Sequence, residues 1–180
     1  MQTLGSREVY ANPWMTVRED AVRRADGTAG IYGVIDKPDY ALVIPREADG
    51  VHLVEQYRYA LGARRWEFPQ GTAPHRADAE PAELAARELR EETGLVAGRL
   101  ELLGTLDVAP GMSAQRGRVF LATDLVAGPP EREHTEQDMR CAWFSRVDLE
   151  RMLRDGELCD AQSVAAYALL LLHERTGTAS

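Results

Sequence analysis

Glu88, Glu91 and Glu92 stand in the stretch RELREETG, spaced i, i+3 and i+4. On a helix those spacings bring side chains to neighbouring positions of one surface, where like charges repel by about 0.2–0.5 kcal/mol per pair. Arg87 and Arg90 relieve part of that repulsion. Two readings compete for such a stretch: a solvated acidic-basic helix face, or carboxylates gathered to hold a metal ion. The rest of the chain has to separate them.

The helix carrying these acids is well marked. Pro81 suits the first helical position, where its missing N–H does no harm. Ala82, Ala85, Ala86 and Leu89 recur at helical spacing as the expected buried stripe. Gly94 follows the last turn as a C-terminal cap. Glu88 and Glu92 fall beside that stripe and Glu91 slightly further round, at the edge of the core contact, where a cleft can form.

The first 60 residues read as strands. SREVYANPWMTVREDAVRR and AGIYGVID are joined by a hairpin turn at RADG, ending at Gly27. YALVIPRE and VHLVEQYR flank EADG, with Asp49-Gly50 expected in the turn. RRWEF is a further short strand, and PQGTAPHRADAE reads as a loop. Beyond the acidic helix, RLELLGTLDVAPG, GRVFLATDL and MRCAWFS read as strands. Ser145 is placed to cap a short helix with Asp148 three residues on, and Asp160 to cap a final helix, DAQSVAAYALLLLHERTG. The pattern is that of a mixed α/β chain without repeats.

Composition narrows the function. With 180 residues, 44% hydrophobic and 28% charged, the chain can bury a real core. Its net charge of −8 argues against general nucleic-acid binding, which needs basic surface, but allows a small phosphate ligand bridged by divalent cations. Cys141 and Cys159 lack metal spacing and are expected as buried free thiols in a reducing compartment. The opening MQTLGSREVY shows no signal-peptide pattern, and VAAYALLLL is too short to span a bilayer. A cytoplasmic protein without a membrane partner is expected.

The segment GTAPHRADAEPAELAARELREETGL resembles the Nudix box, a glycine, a glutamate after five residues, then seven residues and R-E-U-x-E-E-x-G-U with U aliphatic. Arg87, Glu88, Leu89, Glu91, Glu92, Gly94 and Leu95 match the second half. The first half departs. Ala79 stands where the pattern has glutamate, and Gly71 lies two residues early, so the loop is longer. Segments LVEQYRYALGARRWEFPQGT, APGMSAQRGRVFLATDL and DAQSVAAYALL are similar to ADP-ribose pyrophosphatases and related nucleotide-sugar hydrolases.

The resemblance implies a Nudix α/β/α sandwich with a mixed sheet over residues 41–180, preceded by an N-terminal β-region over 1–40 that builds a homodimer. It implies hydrolysis of a nucleoside diphosphate linked to another group, with ADP-ribose to AMP and ribose 5-phosphate the leading case. Other nucleoside diphosphate derivatives, and a Nudix module that senses a nucleotide sugar without cleaving it, are the alternatives. Mg²⁺ or Mn²⁺ is implied, with Glu88 and Glu92 as first ligands, Glu91 as third ligand or supporting group, and the Gly71 carbonyl as a further oxygen. Arg87 would orient a neighbouring glutamate, with Glu83 one turn earlier its expected partner. The general base would come from a loop outside the box; in PEREHTEQD, Glu136 is the candidate, ahead of Glu131 and Glu133. Arg58, Trp66 and Glu67 are candidate substrate contacts. Packing is the competing role for Trp66, and an interface salt bridge for Arg58.

Overall fold

In the computed structural model, residues 1–73, 79–132 and 137–177 are described. Strands β1 (Gln2–Ala11), β2 (Thr16–Arg23) and β3 (Ala29–Asp36) form an antiparallel sheet in that order. The β1–β2 turn is held by Asn12, whose Oδ1 accepts the N–H groups of Trp14 at 2.9 Å and Met15 at 2.8 Å. That local side-chain bond is what an asparagine contributes to a turn. The sheet leaves Leu4, Val9, Tyr10 and Ile31 exposed.

The second sheet contains β4 (Tyr40–Glu47), β5 (Gly50–Arg58), β6 (Ala63–Glu67), β7 (Gln70–Thr72), β8 (Leu95–Asp107), β9 (Arg116–Ala127) and β10 (Arg140–Ser145). Its order is β10-β5-β4-β9-β8, with β6 on β5 and β7 on β4. The pair β4–β9 is parallel, Leu42 opposite Val119 and Val43 opposite Phe120. Tyr40–Pro45 of β4 and Val119–Ala122 of β9 are apolar runs, as expected for a pair covered on both faces. Tyr40, Leu42 and Ile44 point to one face, where α2 (Arg146–Asp155) and α3 (Ala161–Gly177) supply Leu149, Met152, Tyr167 and Leu170. Ala41 and Val43 point to the other, against Leu84, Ala85 and Leu89 of α1 (Pro81–Thr93). Helix, mixed sheet and helices thus form three layers.

The caps match the sequence pattern. Gly94 ends α1 at φ 77°, a left-handed conformation that favours glycine. Ser145 Oγ accepts the N–H of Asp148 at 3.1 Å, and Asp160 Oδ2 accepts that of Ser163 at 2.8 Å. Three details differ. Ala82 and Ala86 are exposed, and the buried stripe of α1 is Leu84, Ala85, Glu88, Leu89 and Glu92. The hairpin turn after β4 falls on Ala48-Asp49, with Ala48 at φ 51° and Gly50 already in β5. Cys141 is half-buried and Cys159 exposed; both are free.

The N-terminal sheet is tied to the segment between β8 and β9. The Ile35 N–H donates to Met112 O at 2.7 Å, and the Tyr32 hydroxyl to Gly111 O at 2.6 Å. Gln115 Nε2 donates to Pro38 O at 2.7 Å. Among the described residues no helix is long and apolar enough to cross a membrane.

Candidate active site

Strand β7 lies inside the segment that reads as loop from sequence. Three residues are too few to signal a strand; pairing of Gln70, Gly71 and Thr72 with Leu42, Ala41 and Tyr40 makes it one. Each of its residues meets one residue of α1. The Gln70 N–H donates to Glu92 Oε2 at 3.2 Å. Thr72 O accepts from Arg87 Nη2 at 3.2 Å. Between them the Glu88 carboxylate rests on the Gly71 Cα, so close that a Cβ there would lie 2.3 Å from Glu88 Oε2.

Arg87 also meets Glu88 Oε1 at 3.0 Å through Nη2 and Glu91 Oε2 at 3.5 Å through Nε. The expected partner Glu83 is not among its ion pairs; Glu83 is exposed on the first turn of α1. Arg87 turns toward the acids because Thr72 O and two buried or half-buried carboxylates outweigh one solvated glutamate.

These groups border a cleft of about 1150 Å³. Glu88, Glu91 and Gly71 line it, while Glu92, 1% exposed, lies beneath on the β7 side. The opposite wall comes from β5, β6 and the start of α3. Glu67, 2% exposed, meets Arg58 twice, Oε1 to Nη2 at 2.7 Å and Oε2 to Nε at 3.2 Å. Burial pushes the Glu67 carboxyl above its ordinary range; the Arg58 guanidinium opposes that shift. The Gln70 side chain then donates to Glu67 Oε2 at 3.4 Å and to Asp160 Oδ2 at 3.3 Å.

Of the expected substrate contacts, Arg58 and Glu67 line the cleft and are paired with each other. Trp66 does not line it. Alternation along β6 turns Arg65 and Glu67 to the cleft and Trp66 to the core, where its ring meets Phe144 edge-on, centroids 4.9 Å apart. The Trp66 ring thus packs against the core. Glu136 and Glu133 lie outside the described residues. Glu131 is exposed and 3.3 Å from Arg90. On either side of that segment, Arg132 Nε donates to Glu92 O at 3.4 Å, and Asp138 meets Arg64 at 2.6 Å.

Sequence reading did not place several cleft residues in the site, Arg65 and Gln70 among them. Trp14, 71% exposed, is presented by the Asn12 turn, and Lys37 follows β3. Lys37 is the one lysine of the chain, beside 20 arginines. Gln115 and Asp160 complete the wall from far along the chain. Only the fold brings them together; the cap pattern at Asp160 was the sole local signal.

Chemically, the cleft joins hard oxygen donors on α1 to cations at Arg58, Arg65 and Lys37. Among the described residues no three acidic, histidine or cysteine side chains are already gathered around a single point. The donor set still fits a cation such as Mg²⁺, which takes few protein oxygens and completes its shell with water and phosphate. A bare Cα at Gly71 lets the Glu88 carboxylate and the β7 backbone share one face of the cleft.

The family model for the nucleoside diphosphate sugar hydrolase N-terminal domain matches residues 1–35, and that for the NUDIX domain residues 36–167. The chain is 35% identical to an ADP-ribose pyrophosphatase of Mycobacterium tuberculosis (strain ATCC 25618 / H37Rv), over 97% of this chain and 84% of that protein. It is 25% identical to an ADP-ribose pyrophosphatase of Bacillus subtilis (strain 168), over 96% and 94%. The crystal structure of an ADP compounds hydrolase superposes with a TM-score of 0.84 at 21% identity, covering 99% of this chain and 95% of that one.

Proposed function

Since the chain belongs to the Nudix family, we propose that it hydrolyses the pyrophosphate bond of a nucleoside diphosphate sugar, ADP-ribose first among them, releasing AMP and ribose 5-phosphate. The observation that carries this reading is the clasp of β7 on α1, which sets Glu88 and Glu91 at the edge of a cleft whose other wall carries Arg58. Similarity to the mycobacterial ADP-ribose pyrophosphatase over nearly the whole chain supports the choice of sugar nucleotide.

Mg²⁺ or Mn²⁺ would be held by Glu88 and Glu92, with Glu91 and the Gly71 carbonyl supporting. Such an ion screens phosphate charge and acidifies a bound water. Arg87 keeps Glu88 and Glu91 from swinging into solvent through its contacts with both. Arg58, Arg65 and Lys37 offset the charge of the diphosphate, and the Trp14 ring offers a flat face for a base. Glu136 is the proposed general base. Exposed Leu4, Val9 and Ile31 support a homodimer built through the N-terminal sheet. Free Cys141 and Cys159 support a cytoplasmic location.

The test is hydrolysis of a panel of nucleoside diphosphate derivatives with Mg²⁺, following nucleoside monophosphate release. ADP-ribose should give the highest kcat/KM. Turnover confined to compounds whose diphosphate carries no second sugar would overturn the substrate, and none across the panel would overturn the enzyme.

A further inference from the structure

At the wall of the cleft facing α1, Asp160 serves two neighbours at once. Its Oδ2 accepts Ser163 N–H at 2.8 Å, Ser163 Oγ at 2.8 Å and Gln70 Nε2 at 3.3 Å. Those bonds cap α3 and fix the carboxylate in one orientation. Its Oδ1 takes no hydrogen bond among the described residues, and Asp160 lines the cleft.

Glu67, the other acid on this wall, is offset by Arg58. Asp160 makes no ion pair among the described residues. An unneutralised acceptor repels phosphate and attracts a neutral O–H donor. In a nucleotide sugar the diphosphate then lies toward Arg58, Lys37 and the cation that the acids of α1 would hold, and the hydroxyl groups of the terminal sugar toward Asp160.

We propose that Asp160 binds the terminal sugar of the substrate, its Oδ1 accepting a hydroxyl hydrogen bond while its Oδ2 holds α3 and Gln70. This rests on the nucleotide-sugar reading of the cleft. Gln70 acts as a positioning residue: its backbone N–H meets Glu92 and its side chain meets Glu67 and Asp160, so one residue sets the spacing between the sugar wall and the acids of α1.

The experiment compares wild type with Asp160→Asn on ADP-ribose and on the β-methyl ester of ADP, which keeps the adenosine and the pyrophosphate bond but lacks the terminal sugar. Asparagine is an equally good helix cap, so melting temperature should hold; Asp160→Ser, also a good cap, serves as a second variant. Loss of a hydrogen bond to a charged acceptor should lower kcat/KM for ADP-ribose about ten- to hundred-fold, with the methyl ester within about twofold. Equal loss on both compounds, or none on either, overturns the proposal. Should wild type turn over neither compound, the functional reading fails, and calorimetric binding of ribose 5-phosphate decides the site by itself. Binding lost in both variants supports Asp160, and binding equal to wild type overturns it.

Discussion

Replacing Gly71 with alanine would separate function from stability more cleanly than deleting any acid. The new Cβ would lie 2.3 Å from Glu88 Oε2 and 2.7 Å from its Cδ, whereas ordinary contact begins at 3.4 Å. The backbone at Gly71 is not in the left-handed region, so alanine fits the chain itself. Relief must come from the carboxylate end of the Glu88 side chain, which has to retreat by about 1 Å. That is cheap in stability, since a flexible side chain moves and alanine restricts the unfolded chain by about 0.4–1 kcal/mol. It is expensive in rate, because a misplacement of about 1 Å at a reacting centre costs about a hundred-fold. Gly71→Ala should therefore keep its melting temperature within about 3 °C while kcat on ADP-ribose falls about a hundred-fold. Steady-state AMP release and a thermal melt on the same preparation read both quantities. A kcat within about threefold of wild type would show that the seat of Glu88 on Gly71 is not its working position.

Glu92→Gln keeps an acceptor for the Gln70 N–H but removes the charge, so folding should persist while turnover drops by orders of magnitude; full activity at saturating Mg²⁺ would remove Glu92 from the site. Burial raises the Glu67 carboxyl above 4.5, so the folded chain binds more protons than the unfolded one between 4.5 and the raised value. Stability should fall as pH rises through that window, and Glu67→Gln should remove the slope; parallel melting curves for both proteins across pH would refute the linkage. Sedimentation of the purified protein should give about twice 20.0 kDa, and a monomer at micromolar concentration would refute assembly through the N-terminal sheet.

Much of the frame is legible in residues 40–47 and at the two ends of α1. Tyr40 to Pro45 is apolar throughout because both faces of β4 are covered, and Pro81 and Gly94 bracket α1 by backbone chemistry alone. The acids of α1 resist reading by periodicity. A count of apolar residues makes Ala82 and Ala86 core and sets Glu88 and Glu92 at its edge, yet β7 covers the two glutamates and leaves the alanines in water. No pattern within Gln70–Thr72 announces that strand, since its existence depends on β4. The same holds for Asp160, Gln115, Lys37 and Trp14: their side chains share a wall that only long-range folding assembles. Trp66 illustrates the reverse case, where residue type suggests stacking but strand alternation assigns the ring to the core.

The lone lysine has a practical corollary. With arginine carrying nearly all the positive charge, Lys37 offers the only side-chain amine, and it borders the cleft. Reagents that acylate amines would modify Lys37 beside the chain's α-amine, and substrate should shield Lys37 from them. Coupling to a surface through side-chain amines would anchor the molecule by the mouth of its own cleft. A cysteine introduced on the far face of α2 would leave the cleft clear, provided Cys159, which lines the same cleft, is first replaced.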